Sequence, residues 1–357
     1  SQLRSEISLE LKIIGTAFAG KAWQGLVRQG ECVKIMTGAI MPDGLDTVVP
    51  QEMVSFNAEK TRVAIDPKVL QQGDNRRKTG EDLLQGSAAL LKGAQLTPAA
   101  LGLIASLGLA TINVYRRVRV AYFSTGDEIL SLGEPLREGA VYDSNRYTVF
   151  GLLTRMGCEV IDMGVVRDIP ALLESAFVKA ANMADAIITS GGVSVGEADY
   201  TRAMMKKLAS EPSNDSGGVA FWRIAMRPGR PMAVGRIGIK SSVLFGLPGN
   251  PVAVMVTFLA FVRPALLQMM GTTTSSLPLL KARSTEAIRK KPGRTEYQRG
   301  TVSTASDGKL EVRTTGNQGS GVLSSMVQAN GLIVLHHDQA SVAVGDEIDV
   351  MMFQGVI

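Results

Sequence analysis

The chain has 357 residues, 45% of them apolar and 5% aromatic, with 38 basic and 33 acidic side chains giving a net charge of +5. That length is too great for one core and implies roughly two to four domains. The mild positive charge suits an anionic partner, while the scarcity of aromatics disfavours a base-stacking platform, so no nucleic acid is expected. Cys32 and Cys158 lie too far apart for metal-thiolate spacing and imply no disulfide framework, which fits a cytoplasmic protein. The longest apolar stretch, near 252–262, stops at Arg263 and is too short to span a bilayer, so no membrane partner is expected.

In chain order, residues 1–84 read as a β-rich module, with "ECVKIMTGAIMPDGLDTVVPQ" alternating apolar runs and Pro-Asp-Gly punctuation. Residues 85–117 are expected to hold a helical linker. "LTPAALGLIASLG" carries Thr97 as N-cap, Pro98 at the first helical position and Gly108 as stop. Residues 118–272 change rhythm. The run "VRVAYF" fits a strand buried on both faces, and a helix follows, capped by Asp143 or Ser144. "CEVIDMGVV", "IPALLESAFVKAANM", "ADAIITS", "SSVLFG" and "NPVAVMVTFLAFVRPALLQMM" continue the alternation, with a solvated loop expected over 209–218. Alternating strands and helices predict a doubly wound α/β domain on a parallel sheet. Residues 273–357 return to β signals, including an Asp-Gly hairpin cue in "STASDGKLEV", and predict a small barrel or sandwich.

Ligands of parallel α/β sheets bind beyond the carboxyl ends of the strands. Four loops of 118–272 are expected there. "STGDE" (124–128) offers hydroxyls and the carboxylates of Asp127 and Glu128. "SGGVSVGEADY" (190–200) has three glycines that admit a phosphate to the backbone, and Glu197 and Asp199 that suit Mg²⁺. "AMRPGRP" (225–231) displays Arg227 and Arg230 from a stiff turn, and the arginine fork matches oxyanions. "LPGNP" (247–251) opens the last helix, with Asn250 as cap, Pro251 behind it and the N–H groups of 252–254 expected to face an anion. Each loop alone also reads as a capped or solvated turn. Their convergence points to a Mg²⁺-assisted enzyme acting on an anionic, phosphate-bearing small molecule. His336 and His337 have no third ligand nearby and are not expected to bind metal.

At these loops the chain resembles the molybdopterin molybdenumtransferase family, which includes the E domain of gephyrin. The resemblance rests on "TGDE", "SNR", "TSGGVSVGEADY", "RPGRP" and "LPGNPV", with "MTGA" (36–39), "GEDL" (80–83), "EYQRG" (296–300) and "TGNQGS" (315–320) outside that domain. It implies a multidomain homodimer whose α/β domain is shared with molybdopterin adenylyltransferases. The implied reaction takes adenylylated molybdopterin and molybdate, inserts molybdenum and releases AMP with Mg²⁺. By motif, Asp199 and Glu128 are the metal-associated acids. Gly191, Gly192 and Ser194 contact the pterin phosphate or nucleotide, and Pro248, Gly249, Asn250 and Pro251 line the same site. Thr37 and Asp82 close it across the dimer. Arg227, Arg230, Arg299 and Ser320 form the oxyanion group. The resemblance also allows a contact with a molybdopterin adenylyltransferase.

The chain departs from the family's pattern in three ways. Arg227 and Arg230 stand where lysines are usual, and Ala253 stands where serine is frequent after Asn-Pro-Val. The family's N-terminal Asp-Asn-Ser-Ala-Met-Asp-Gly-Tyr-Ala segment and helical dimer element are absent from these residues, and a segment before Ser1 would supply them. Two other readings stay open: a molybdopterin adenylyltransferase, and a non-catalytic binding scaffold of the same fold.

Overall fold

The computed structural model describes residues 7–66, 71–193, 200–209, 218–273 and 277–355. The chain divides into two compact units, Ser1–Leu91 and Lys92–Ile357.

The described part of the first unit is built on a four-stranded sheet in the order β2-β1-β4-β3. Its strands are β1 (Leu9–Ala17), β2 (Glu31–Ile35), β3 (Val54–Phe56) and β4 (Arg62–Ile65). Its core is small: Leu11, Val63 and Ile65, with Leu9, Ile13, Cys32, Val49 and Val54 packed against them. The stretch after β2, where Pro-Asp-Gly punctuates the apolar runs, forms turns and no strand over 36–50, because Gly38 and Gly44 adopt positive φ and the Pro-Asp-Gly segment breaks any ladder. Its polar side chains fasten it to the following loop. The Gly73 N–H donates to Thr47 Oγ1 at 3.0 Å and Asn75 Nδ2 to the Val48 carbonyl at 2.9 Å.

The second unit begins with α1 (Pro98–Ser106), capped as expected: Thr97 Oγ1 accepts the Ala100 N–H at 3.2 Å. The α/β elements follow as β5 (Arg119–Thr125), β6 (Ile129–Leu130), β7 (Val141–Tyr142), α2 (Ser144–Arg155), β8 (Glu159–Val166), α3 (Pro170–Met183), β9 (Ala186–Ser190) and α4 (Tyr200–Lys207). Then come β10 (Val219–Arg223), β11 (Met226–Arg227), β12 (Pro231–Ile237), β13 (Ser242–Leu247), α5 (Pro251–Thr257) and α6 (Arg263–Met269). Among the described residues the sheet order is β10-β12-β13-β9-β5-β8. β13, β9, β5 and β8 are parallel, as the alternation predicts, but β12 is antiparallel to β13 and β10 to β12. That edge hairpin was not legible in the sequence. The order places β8 and β9 on opposite sides of β5, so the chain reverses direction across the sheet there, and the ends of β5 and β9 are where sheets of this kind bind their ligands.

α5 and α6 form one continuous helix, Pro251–Met269, through a π turn at Phe258–Val262. The wide turn comes just before Pro264, which has no N–H to donate to the preceding turn. Among the described residues this is the one helix long and apolar enough to cross a membrane, and about half of its apolar stretch is buried inside the protein. Val252, Val254, Val256, Phe258, Leu259, Val262 and Leu266 form the main core with Tyr122, Phe245 and Leu247 of the sheet, and with Met326, Leu332 and Phe353 from the C-terminal residues.

Those C-terminal residues build β14 (Leu280–Ser284), β15 (Thr295–Thr304), β16 (Leu310–Thr314), α7 (Ser324–Gln328), β17 (Gly331–Leu335) and β18 (Glu347–Met352). The order β15-β16-β14-β18-β17 closes through a β15–β17 pairing, a five-stranded barrel. Closure removes both sheet edges, which settles barrel over sandwich. β11 adds to the outside of β15, pairing Met226 with Thr295 and Arg227 with Glu296, so the arginine loop is stitched to the barrel.

Candidate active site

The glycine loops sit where the parallel strands end. Gly191 follows β9 and donates its N–H to the Leu247 carbonyl of β13 at 3.1 Å. A Cβ on Gly191, at φ +90°, would lie 2.5 Å from the Thr125 carbonyl oxygen of β5, and one on Gly192, at φ +63°, 2.4 Å from Thr201 Cβ. Three strand ends and the start of α4 therefore meet here at backbone distance. Gly249 differs: its nearest neighbour is Gly191 Cα at 4.0 Å, and its φ is ordinary. We expect Gly191→Ala to cost at least about 1–2 kcal/mol for the left-handed backbone alone, a fall of several degrees in Tm. Gly249→Ala should stay within about one degree, since its Cβ meets ordinary space. A thermal melt of the two variants separates them.

Glu128 is exposed after β5, and its carboxylate lies over Gly126, with Oε2 2.5 Å from where a Cβ there would stand. Its neighbour Asp127 accepts the Asp168 N–H from the end of β8 at 3.3 Å, which brings a second carboxylate loop to the same edge. Ser194, Glu197 and Asp199 lie outside the described residues. Thr37, in the turn after β2, and Asp82, in a loop held by a Lys78 N–H to Glu81 bond of 2.8 Å, are both exposed in the first unit.

The arginine loop reaches the site by a route other than the one expected. It does not follow a parallel strand. It precedes β12, and because β12 is antiparallel to β13 its first residue lies at the carboxyl end of β13. The Arg227–Pro228 peptide is cis, Pro228 and Gly229 are buried, and Arg227 and Arg230 are exposed. A Cβ on Gly229 would stand 2.5 Å from Thr257 Cγ2 and 3.5 Å from the Ala253 carbonyl, so the loop is seated on α5. Arg227, Pro228, Glu296, Tyr297, Gln298 and Gln318 line a small open cleft between this loop and the barrel. The Glu296 carboxylate in it is already engaged by Arg294 Nε at 2.8 Å.

"LPGNP" corrects the sequence reading. Asn250 is the N-cap of α5, with its backbone extended, but its side chain makes no capping hydrogen bond. The Val252 N–H donates to the Ser320 carbonyl at 3.1 Å and the Val254 N–H to the Asn250 carbonyl at 2.9 Å. Val252, Ala253 and Val254 are buried. The start of this helix therefore holds the Ser320 carbonyl of the barrel's "TGNQGS" loop on the Val252 N–H, and the N–H groups of Val252 and Val254 are not free donors.

Arg299 also departs from the expected oxyanion group. It is 0% exposed. Its Nε donates to Ser325 Oγ at 2.9 Å, Nη1 to the Gln318 carbonyl at 3.2 Å, and Nη2 to the Asn317 and Gly319 carbonyls at 3.1 and 2.9 Å. Burial first, and then the neighbouring Arg227 guanidinium, hold its pKa below the usual arginine range. Arg299 therefore shapes the loop that carries Ser320 and adds an inward positive charge behind Arg227.

Several residues at this end were missed. Tyr122, Ser124 and Ser190 form a buried hydroxyl cluster under the glycine loops: Tyr122 Oη lies 2.9 Å from Ser124 Oγ and 2.7 Å from Ser190 Oγ. Burial, and then the Asp143 charge, push the Tyr122 phenol well above its ordinary value, so it stays a neutral donor. Asn145 Nδ2 donates to the Gly249 carbonyl at 2.7 Å, tying α2 to "LPGNP". The period-2 placement of Tyr122 and Ser124 beside Ser190 was the available signal, but the register needed to pair them was not. His336 and His337 bond the carboxylates of Asp349 and Asp338, and among the described residues no three His, Cys, Asp or Glu side chains group as a metal cage.

Comparison with known proteins matches this arrangement along the chain. Residues 4–108 match the MoeA N-terminal region (domain I and II), 121–268 the probable molybdopterin binding domain, and 281–353 the MoeA C-terminal region (domain IV). A molybdopterin molybdenumtransferase of Haemophilus influenzae is 41% identical over 352 residues, covering 98% of this chain and 84% of that protein. One from Bacillus subtilis is 31% identical over 98% of this chain and 79% of its own. The crystal structure of a molybdopterin biosynthesis moeA protein from Pyrococcus horikoshii OT3 superposes with a TM-score of 0.75 at 26% identity, covering 97% of this chain and 81% of that one. With the glycine crevice, the arginine loop and both flanking β modules falling inside these matches, the chain belongs to the molybdopterin molybdenumtransferase family.

Proposed function

We propose that this protein transfers molybdenum from molybdate to adenylylated molybdopterin and releases AMP. The observation that carries the reading is the seating of the arginine loop on α5, beside the joined ends of β5, β9 and β13. The glycine backbone at 191 and 192 receives the phosphate-bearing part of the substrate. Arg227 and Arg230 attract molybdate, with buried Arg299 adding to the field behind them. Ser320 lies on the loop that Arg299 orders. Pro248, Gly249, Asn250 and Pro251 form the wall nearest Gly191. Charge-assisted bonds from a guanidinium to a tetrahedral oxyanion are directional and strong, which supports anion capture even though the family's usual lysines are replaced.

Mg²⁺ is part of this proposal. The ion takes one or two carboxylates and completes its shell with phosphate oxygens and water, and an exposed Glu128 on the loop after β5 fits that donor set. Glu128 and Asp199 would hold it, and it would neutralise charge on the departing phosphate. We further propose a cytoplasmic homodimer in which Thr37 and Asp82 of one protomer complete the partner's site. Free Cys32 and Cys158, the latter buried with its thiol pushed up to about 11, are consistent with a reducing compartment.

The reading is tested on molybdate dependence. Arg227→Ala and Arg230→Ala should each weaken molybdate use roughly tenfold or more, as loss of one charge-assisted hydrogen bond costs about 1.5–3 kcal/mol. Lysine at both positions should restore much of it. Unaltered molybdate dependence of AMP release in Arg227→Ala would remove the arginine loop from the site.

A further inference from the structure

Asp143 and Asn145 are more buried and less satisfied than caps and linkers need to be. Asp143 is 3% exposed and Asn145 9%. One Asp143 oxygen accepts the Arg146 N–H at 3.1 Å and so caps α2, a task a serine would perform equally well. Its other oxygen, Oδ2, is buried with no partner, and so is Asn145 Oδ1. The orientation of the Asn145 amide is fixed, because the Gly249 carbonyl can only accept and must face Nδ2. Two orphan acceptors thus sit on the first turn of α2, one beside the Tyr122 phenol and one tied to the "LPGNP" turn. Leaving acceptors buried and unpaired is costly, and a bound donor removes the cost.

We infer that Asp143 Oδ2 and Asn145 Oδ1 accept hydrogen bonds from the 2-amino-4-oxopyrimidine edge of the substrate's pterin. That edge presents an exocyclic NH₂ and a ring N–H side by side, which matches a carboxylate oxygen and an amide oxygen. The assignment rests on the proposed pterin substrate. It orients the ring at the α2 end of the crevice, with the phosphate arm toward Gly191. Guanine carries the same edge, so the two sources must be separated by experiment.

The probes are 6-hydroxymethylpterin, lumazine, which has a carbonyl in place of the 2-amino group, and guanosine 5′-monophosphate. Their affinities are read by fluorescence or calorimetry. The wild-type protein should bind the pterin at least roughly tenfold more tightly than lumazine and more tightly than the guanine nucleotide. Asp143→Asn keeps the capping oxygen and turns the orphan acceptor into a donor, so the preference over lumazine should vanish. Asp143→Ser, which also caps, should give the same loss if the asparagine variant folds poorly. Equal affinity for pterin and lumazine in the wild type, or a preference that survives in both variants, overturns the inference. Tighter binding of the guanine nucleotide overturns the pterin assignment. AMP release by the wild type is measured alongside. Pterin discrimination that depends on Asp143 without any AMP release would uphold this subsite and strike the transferase reading.

Discussion

Arg299→Ala is expected to destabilise the second unit by more than about 3 kcal/mol, the scale on which removing one member of a buried charged network acts. The wild-type guanidinium satisfies Ser325 Oγ and the carbonyls of Asn317, Gln318 and Gly319 at once. Truncation strands those acceptors, at about 1–3 kcal/mol for each buried group left unsatisfied, and opens a cavity the barrel can only partly close. A fall in Tm of roughly 10 °C should follow. Arg299→Lys should recover only part of it, because a point ammonium does not reach four acceptors spread around a planar fork. Calorimetry on the two variants checks this, and a Tm within about 2 °C of wild type in Arg299→Ala would show that the buried fork contributes little. The loop that Arg299 pins also carries the Ser320 carbonyl seated on the Val252 N–H, so molybdate use should fail with it even below the melting range.

Glu128→Gln and Asp199→Ala should leave folding nearly unchanged and reduce AMP release by about 10²–10³-fold, the usual scale for removing one group that stabilises developing charge. Glu128 is exposed at the end of β5 and makes no contribution to the core, so its loss should be read in chemistry and not in the melt. If the carboxylates hold Mg²⁺, the variants should also need a higher Mg²⁺ concentration for half-maximal release. Wild-type release rates in both, at all Mg²⁺ concentrations, would remove these acids from the reaction.

The alternating strands and helices of 118–272 were legible because buried parallel strands read as unbroken apolar runs, as in β5, whose residues from Val120 to Thr125 are all buried. The caps of α1 and α2 were equally plain, and Asp143 takes the N-cap position. Legibility stopped where long-range pairing decides the outcome. The Pro-Gly turn between "AFWR" and "PMAVGRI" was visible, but nothing local says that its flanking strands pair antiparallel at the sheet edge, and only the register with β13 brings the arginine loop to the carboxyl end of the parallel strands. Arg299 shows the same limit. Its residue type suggests an anion ligand, but the "TGNQGS" loop, distant in sequence, folds over it and takes its donors. At "LPGNP" the Val252 N–H is taken for the same reason, since its partner is Ser320 in another module, whereas the Val254 N–H is taken locally by the cap carbonyl of Asn250.

The most direct test of the proposed reaction is the balance sheet of a single incubation: purified protein, adenylylated molybdopterin, molybdate and Mg²⁺, with AMP, pyrophosphate and pterin-bound molybdenum quantified together. A molybdenumtransferase releases one AMP for each molybdenum that enters the pterin, and releases none of either when molybdate is withheld. Adenylylated molybdopterin left intact with molybdate present, no AMP released and no molybdenum incorporated, would contradict the account, and pyrophosphate formed in a parallel incubation with ATP and molybdopterin would instead identify an adenylyltransferase.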